Sequence, residues 1–439
     1  MSRELIDSST HIICFPYWKN KVVIIQFMYQ QSPISRLRAY FASPKGKRAS
    51  LWLTFFLFWG GAAAVLPFIS VYYESVNLSG SQIGQLNSIP LFITLISSVA
   101  FGFLSDVSKR NKLLLRICAV GMIVALFLFP QAQTFTAFLP IILIYSIFQA
   151  PFNPILDETT LVAMENPVMY GKVRVGGSIG WGVMVLATGF LIDNLGIGIP
   201  VIFYVNIAFL VLFFLITTFL PGSKVKKITA GSEVTIKKLG KMLLQPGFLL
   251  IFLLIIIWGM GESSIGNFLF LHIKHLGGSS TLMGIALSIS LIGEIVTFSM
   301  ADKIQAKIGE FKMILLAFIV LFIWLTGLSL IKEPNLIPFF QIFGGAGFAL
   351  IQSGSVAYVN RRAPKELGTT AQALRGGVLS GLGTGIGALI SGVLYEFSGS
   401  SALFRIMSLV QLGGFGLGIL IFLRDRRMNS ACPADKSLE

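Results

Sequence analysis

Residues 221–246 read PGSKVKKITAGSEVTIKKLGKMLLQP, six lysines and one glutamate between two prolines. Nothing in this stretch can cross a bilayer, yet it stands between two long apolar tracts. Before it, stretches near the twenty residues a spanning helix needs fall at roughly 50–73, 82–104, 112–130, 135–157, 173–193 and 198–220. After it, a second set falls at roughly 247–272, 281–301, 312–331, 335–358, 370–395 and 401–423. A basic connector between two sets of six apolar runs predicts an all-α integral membrane protein with twelve transmembrane helices in two six-helix halves. The expected organisation is a cytoplasmic N-terminal extension (1–48), a first half (49–220), the cytoplasmic linker (221–246), a second half (247–425) and a cytoplasmic tail (426–439).

Composition agrees. Of 439 residues, 54% are hydrophobic and only 12% charged, against roughly 25% charged in soluble domains. Such a chain is neither an ordinary cytosolic enzyme nor a disordered scaffold. The net charge of +15 finds its explanation in where the cations lie. Arg36, Arg38, Lys45, Lys47, Arg48, Lys109, Arg110, Lys112, Lys172, the linker lysines, Lys303, Lys307, Arg361, Arg362, Lys365, Arg424, Arg426 and Arg427 fall on one side. The opposite loops hold little beyond Lys274 and Lys332. The positive-inside rule then puts both termini in the cytoplasm of a multi-pass plasma-membrane protein, with the lipid bilayer and no nucleic acid as partner.

Residues 1–48 lack the layout of a signal peptide; Val22–Tyr29 is apolar but too short to span, and Met28 is an alternative start. Three scattered cysteines (Cys14, Cys118, Cys432) make no disulfide framework, and no metal site is expected. None of His11, His272 and His275 falls in the middle of an apolar run, which argues against a buried histidine relay. With no phosphate-binding Gly-rich loop, neither catalytic residues nor a cofactor are expected.

The halves repeat. Gly84 matches Gly284 at an offset of 200, Asp106 matches Asp302 at 196, and Arg174 matches Arg375 at 201. Gly189-Phe-Leu-Ile-Asp193 matches Gly392-Val-Leu-Tyr-Glu396 at 203. Six spans per half make the repeat parallel, related by an axis along the membrane normal, which builds a carrier with its site at the midplane.

Several polar residues interrupt this apolar background. Tyr145, Gln149, Asn153 and Asp157 recur every four residues on one helical face, facing either a cavity or a partner helix as hydrogen-bonding glue. Arg174, Ser178 and Trp181 share another face. There a guanidinium can clamp a carboxylate or paired hydroxyls and an indole offers a flat platform, unless Arg174 only snorkels to the cytoplasmic surface. Asp157 and Arg174 lie on adjacent antiparallel spans, so an ion pair is possible. Glu262 and Glu294 fall near mid-bilayer, where a carboxylate is costly unless paired or protonated. Each is a proton-coupling candidate or one member of a structural salt bridge, with Arg375 as the available cation. Asp106, Arg110 and Arg375 read as gating or structural groups. Gly176-Gly177-x-x-Gly180 and Gly376-Gly377-x-x-x-Gly381-x-Gly383 should let helices pack closely and rock.

Gly102-Phe-Leu104-Ser-Asp106-Val-Ser-Lys109-Arg110-Asn-Lys112 resembles the loop signature between the second and third spans of the major facilitator superfamily, with Lys109 in place of its second glycine. Pro154-Ile-Leu-Asp157, Tyr170-Gly171-Lys172-Val-Arg174 and Gly177-Ser-Ile-Gly180-Trp181 look like the lactose permease and phenylpropionate permease branch. The resemblance implies sugar-bonding roles for Asp157 and Arg174, stacking by Trp181, and coupling roles for Glu262 and Glu294. It departs in the tenth span, where a proton-handling Lys, His and Glu are replaced by Gln341, Gly344 and Gly347. The expectation is a monomeric secondary transporter working by alternating access, drawing on the proton gradient. It would import a small organic solute, a saccharide first and an aromatic carboxylate or nucleoside next. Gln149, Asn153, Asp157, Arg174 and Trp181 are its candidate solute-binding residues. A drug or metabolite exporter, or a non-transporting membrane protein, is the alternative.

Overall fold

Ser43 and Pro44 start the first helix: the Ser43 hydroxyl accepts from the Gly46 N–H, and Pro44 occupies a first-turn position that needs no N–H. The computed structural model describes residues 40–41, 43–93, 111–163, 167–196, 198–220, 245–363 and 368–431, and among these every regular element is helical. Helices α1 (Pro44–Val65) and α2 (Ile69–Ser75) make the first span, broken at Leu66-Pro67-Phe68. Helix α3 (80–93) is the described part of the second. Next come α4 (Asn111–Leu128), α5 (Phe135–Gln149), α6 (Phe152–Ala163), α7 (Pro167–Asn194) and α8 (Val201–Ile216). The second half holds α9 (Pro246–His275), α10 (Ser280–Ile308), α11 (Glu310–Leu330), α12 (Ile337–Arg362) and α13 (Gly368–Gly377). A π-helical turn (Val378–Gly383) then leads into α14 (Thr384–Ala431).

Ten helical stretches among the described residues are long and apolar enough to cross a membrane. The last, Leu374–Leu420, contains two spans: Gly399 takes φ 73° and ψ 174°, a backbone that favours glycine, and turns the chain there. With the second span, only partly described, this gives the twelve expected. The helices overrun the apolar runs at their ends. Helix α1 begins at Pro44, so Lys45, Lys47 and Arg48 are helical rather than part of an irregular extension. Hydropathy marks only the part of a helix that lipid covers. The linker residues 221–244, like Asp106 and Arg110, lie outside the described residues.

Small residues set the contacts within each half. A Cβ on Gly176 would fall 2.6 Å from the Trp52 carbonyl oxygen, and one on Gly180 2.5 Å from that of Phe56, so α7 lies directly on α1. In the second half Gly383 meets the Ile256 carbonyl at 3.1 Å and Gly387 the Met260 Cα at 2.6 Å, which sets the eleventh span on α9 in the same way. Gly376 faces open space and makes no such contact. On α4, Leu113, Ile117, Val120, Val124 and Phe127 form an exposed stripe at helical spacing while Leu114, Cys118, Met122 and Ala125 are buried. Lipid, not water, suits that surface.

The halves are fastened at one end, where the segments 74–81, 193–196, 274–281 and 395–400 gather. Glu74 accepts from Lys274 Nζ at 2.6 Å and from the Tyr395 hydroxyl at 2.8 Å, and lies 2.9 Å from His275 Nε2. Asp193, closing α7, accepts from the backbone N–H groups of Ser280 (3.1 Å) and Thr281 (2.7 Å) and from the Thr281 hydroxyl (2.6 Å). Glu396 accepts from the Ser81 N–H at 2.8 Å and the Ser79 hydroxyl at 3.0 Å. Each of these two carboxylates sits at the positive N-terminus of a helix in the opposite half. Beneath them, Cβ atoms on Gly84 and Gly392 would lie 2.5 Å from the carbonyls of Ala388 and Gly80, so the second and eleventh spans touch backbone to backbone.

His272, at the end of its apolar run, is nevertheless buried. It is 1% exposed, with Nδ1 2.8 Å from the Ser400 hydroxyl and Nε2 3.1 Å from the Leu328 carbonyl. A carbonyl only accepts, so the ring donates through Nε2 and pins the turn at Gly399. It is a buried structural histidine with both nitrogens satisfied.

Candidate solute-binding site

Two cavities meet at Glu262. The first, about 360 Å³, is lined by Trp181 from α7, Glu262 from α9, Ser290 and Glu294 from α10, Trp324 from α11 and Gln341 from α12, with apolar side chains between them. The second, about 390 Å³, adds Tyr73, Asn87, Tyr145, Gln149, Ser263, Asn267, Ser380 and Thr384. Glu262, Gly266, Leu66 and Phe348 border both. The polar groups of the first chamber are acids, indoles, an amide and a hydroxyl; those of the second, Glu262 apart, are amides and hydroxyls on a largely apolar wall.

Of the residues singled out in the sequence, Trp181, Glu262 and Glu294 come together in the first chamber and Gln149 lies in the second. Both carboxylates, Glu262 and Glu294, border the first chamber. Neither has a cationic partner within 4.0 Å among the described residues. The possible bridge from Glu262 to Arg375 is not formed. Arg375 is 8% exposed and donates to Gln352 at 2.6 Å, Gln372 at 3.0 Å and Ser355 at 3.1 Å, stitching the tenth span to the eleventh.

The stripe on the fourth span divides. Pro151 has no N–H to continue the ladder, so helix α5 ends at Gln149 and α6 begins at Phe152. Tyr145 and Gln149 reach the second chamber, whereas Asn153 and Asp157, beyond the break, line neither. Asp157 accepts from the Tyr170 hydroxyl at 2.9 Å, and no Asp157–Arg174 ion pair forms within 4.0 Å.

Arg174 also stands outside both chambers. Its guanidinium carbon lies 5.2 Å from the Phe55 ring and 5.0 Å from the Trp59 ring, an arrangement in which aromatic faces stabilise the cation. Trp59 in turn meets Trp181 edge-on at 5.9 Å and 63°. Nothing along the chain singles out Trp59, because its neighbours come from a different span. Trp324 and Gln341 likewise escape a sequence reading as lining residues.

The span-10 departure now has a physical account. Trp324 lies over Gly344, leaving no room for a side chain there, and a Cβ on Gly345 would collide with the Ser290 carbonyl. Gly344 thus admits an indole where the permease pattern has a titratable side chain, while Gly345 beside it admits the backbone of α10.

A twelve-span helical bundle with a central chamber between pseudo-symmetric halves is the architecture of a secondary transporter. The MFS_1 like family matches residues 49–406, and the chain belongs to it, within the major facilitator superfamily. It is 26% identical over 402 residues to the uncharacterized transporter YwbF of Bacillus subtilis (strain 168), covering 90% of this chain and 96% of that one. It is 27% identical over 380 residues to a maltose permease of Geobacillus stearothermophilus, covering 85% and 94%. The crystal structure of the nucleoside transporter NupG superposes with a TM-score of 0.76 at 18% identity, over 85% of this chain and 98% of that one, a likeness of fold. These are transporters, not enzymes, and this chain is one of them.

Proposed function

We propose that this protein is a proton-coupled symporter importing a small neutral polar solute, a saccharide before a nucleoside, across the plasma membrane. The observation that carries the reading is the pair Glu262 and Glu294 facing one chamber with Trp181, neither bonded to a cation among the described residues. Carboxylates so placed suit proton carriage: neutral while crossing, charged when open to water. Trp181 provides the platform on which a sugar or base ring stacks. The relative named a maltose permease is consistent with a saccharide. An aromatic carboxylate fits less well, since the chamber is acidic and the Arg174 guanidinium is engaged by Phe55 and Trp59. Gln149 contributes from the second chamber. Asn153, Asp157 and Arg174 act from behind the wall, and Asp106, Arg110 and Arg375 serve packing and gating.

Lys112, Lys172, Lys303, Lys307, Arg361 and Arg362 all lie at the end away from the Glu74 cluster. By the positive-inside rule that end is cytoplasmic, both termini are cytoplasmic, and the fastened end faces outward. The state is then inward-facing, and one chain suffices as the working unit.

The test is a pH-electrode screen on de-energised proteoliposomes, adding maltose, uridine and 3-phenylpropionate in turn. Alkalinisation of the medium on adding maltose or uridine is the expected result. Silence for all three, with the protein shown to be folded, rejects proton symport of these classes. A second reading, export of apolar cations, draws on the same uncompensated acids and the apolar remainder of the wall. It predicts protons leaving the vesicle interior against an organic cation instead.

A further inference from the structure

Gln341 is fully buried in α12, and neither its amide nitrogen nor its amide oxygen has a hydrogen-bond partner. It borders the acidic chamber. In the same wall stands Trp324, 7% exposed, with Nε1 equally unpartnered. Buried polar groups are nearly always bonded, because leaving one unmet forfeits the hydrogen bonds it had in water. Three such atoms thus belong to two side chains that line one chamber. The backbone is shaped to permit it: a Cβ on Gly344 would fall 2.5 Å from Cζ2 of Trp324, so only glycine leaves room for the indole.

The chemistry of these atoms restricts what can satisfy them. An amide offers a donor and an acceptor side by side, and the indole adds a donor. A carboxylate solute would be repelled by Glu262 and Glu294. An ammonium could pair with those acids but would leave the Gln341 amide hydrogens and the Trp324 N–H unmet. A neutral edge that both donates and accepts answers all three atoms. Two sources present it: adjacent hydroxyls on a sugar ring, or the amide edge of a nucleobase.

We infer that Gln341 and the Trp324 N–H form a recognition subsite, in the second half of the protein, for a neutral donor–acceptor edge of the solute ring. The subsite complements the Trp181 platform contributed by the first half, and it rests on the reading of this chamber as the solute site. Specificity then comes from an amide and an indole where the permease pattern keeps a proton-handling triad.

The experiment titrates purified full-length protein in detergent with maltose and with uridine by calorimetry, and measures thermal unfolding without ligand. Wild type is compared with Gln341→Met, close in shape but lacking the amide, and Trp324→Phe, which keeps a ring and loses the N–H. One probe should bind wild type. Its Kd should rise about ten- to a hundredfold in Gln341→Met and about tenfold in Trp324→Phe. Binding of maltose assigns the hydroxyl edge; binding of uridine assigns the base edge. Unliganded Gln341→Met should melt at or above the wild-type temperature, since it removes unmet polar atoms. If a probe binds and both variants hold Kd within twofold, the subsite is wrong while the chamber stands. A lower melting point for unliganded Gln341→Met would mean that the amide is bonded within the protein, which also overturns the subsite. Failure of both probes to bind wild type removes the neutral-solute reading, and the subsite with it.

Discussion

In the proposed symport, Glu294 and Glu262 carry the coupling. A glutamine at 294 keeps the shape and removes the exchangeable proton. Proteoliposomes carrying Glu294→Gln should therefore lose solute accumulation driven by a pH gradient, while solute exchange at equal pH continues. Retained uphill uptake would assign coupling to another group. Trp181 should behave differently. Trp181→Ala removes a ring that also rests edge-on against Trp59, so solute binding should weaken by about 0.5–1.5 kcal/mol more than in Trp181→Tyr. Equal losses in the two variants, read by calorimetry, would mean that no ring stacks there. These residues were legible in the sequence because an acid, or a tryptophan beside an arginine, stands out in an apolar run. Gln341 was visible only as the gap left by a missing triad, and Trp59 and Trp324 were two more aromatics in aromatic-rich spans. Their roles arise where three or four helices meet, and no single stretch encodes that meeting.

Helices make or lose the site through their closest approaches. Gly345 on α12 lies where a Cβ would collide with the Ser290 carbonyl and come within 2.5 Å of the Glu294 N–H, whereas a Cβ on Gly347 would sit 3.5 Å from Val320 in ordinary contact. Gly345→Ala should push α12 off α10, cost about 1–3 kcal/mol through overpacking, and move Gln341 and Glu294 out of register. Gly347→Ala should melt within error of wild type. Thermal unfolding and solute binding on the same samples distinguish the two, and an unaffected Gly345→Ala would mean that the helices can part without consequence. At this scale the sequence was half legible. The small-residue runs marked where helices touch, as Gly176, Gly180 and Gly383 confirm, but Gly376 shares the pattern and touches nothing. The four-residue stripe from Tyr145 to Asp157 assumed a continuous helix, and Pro151 divides it. Periodicity reports a face only as far as the hydrogen-bond ladder runs.

At one end the two halves are joined by contacts that the internal repeat had already exposed without revealing their purpose. Asp193 and Glu396, matched at an offset of 203, each place a carboxylate on the first N–H groups of a helix in the other half. Gly84 and Gly392 pack the second span on the eleventh below, and their repeat partners Gly284 and Gly189 pack α10 on α7. A repeat along the chain has become a symmetric latch across the seam, with Glu74 as a third fastening. Helix termini are most favourable to anions within the first turn, and exposure to water weakens the effect. Neutralising both carboxylates should therefore loosen the end without unfolding the halves. With Ser290→Cys as a reporter inside the first chamber, an impermeant maleimide added from the lysine-poor side should react a few times faster in Asp193→Asn/Glu396→Gln than in the parent. Adding Glu74→Gln, which weakens contacts to Lys274, His275 and Tyr395 together, should increase the rate further. If the double variant reacts no faster, the seal lies in the glycine-packed backbones, and the carboxylates only trim the helix ends. If the rate rises and transport slows, the latch sets the balance between the two faces, and the conformational cycle is tuned from the two positions where the halves repeat each other most plainly.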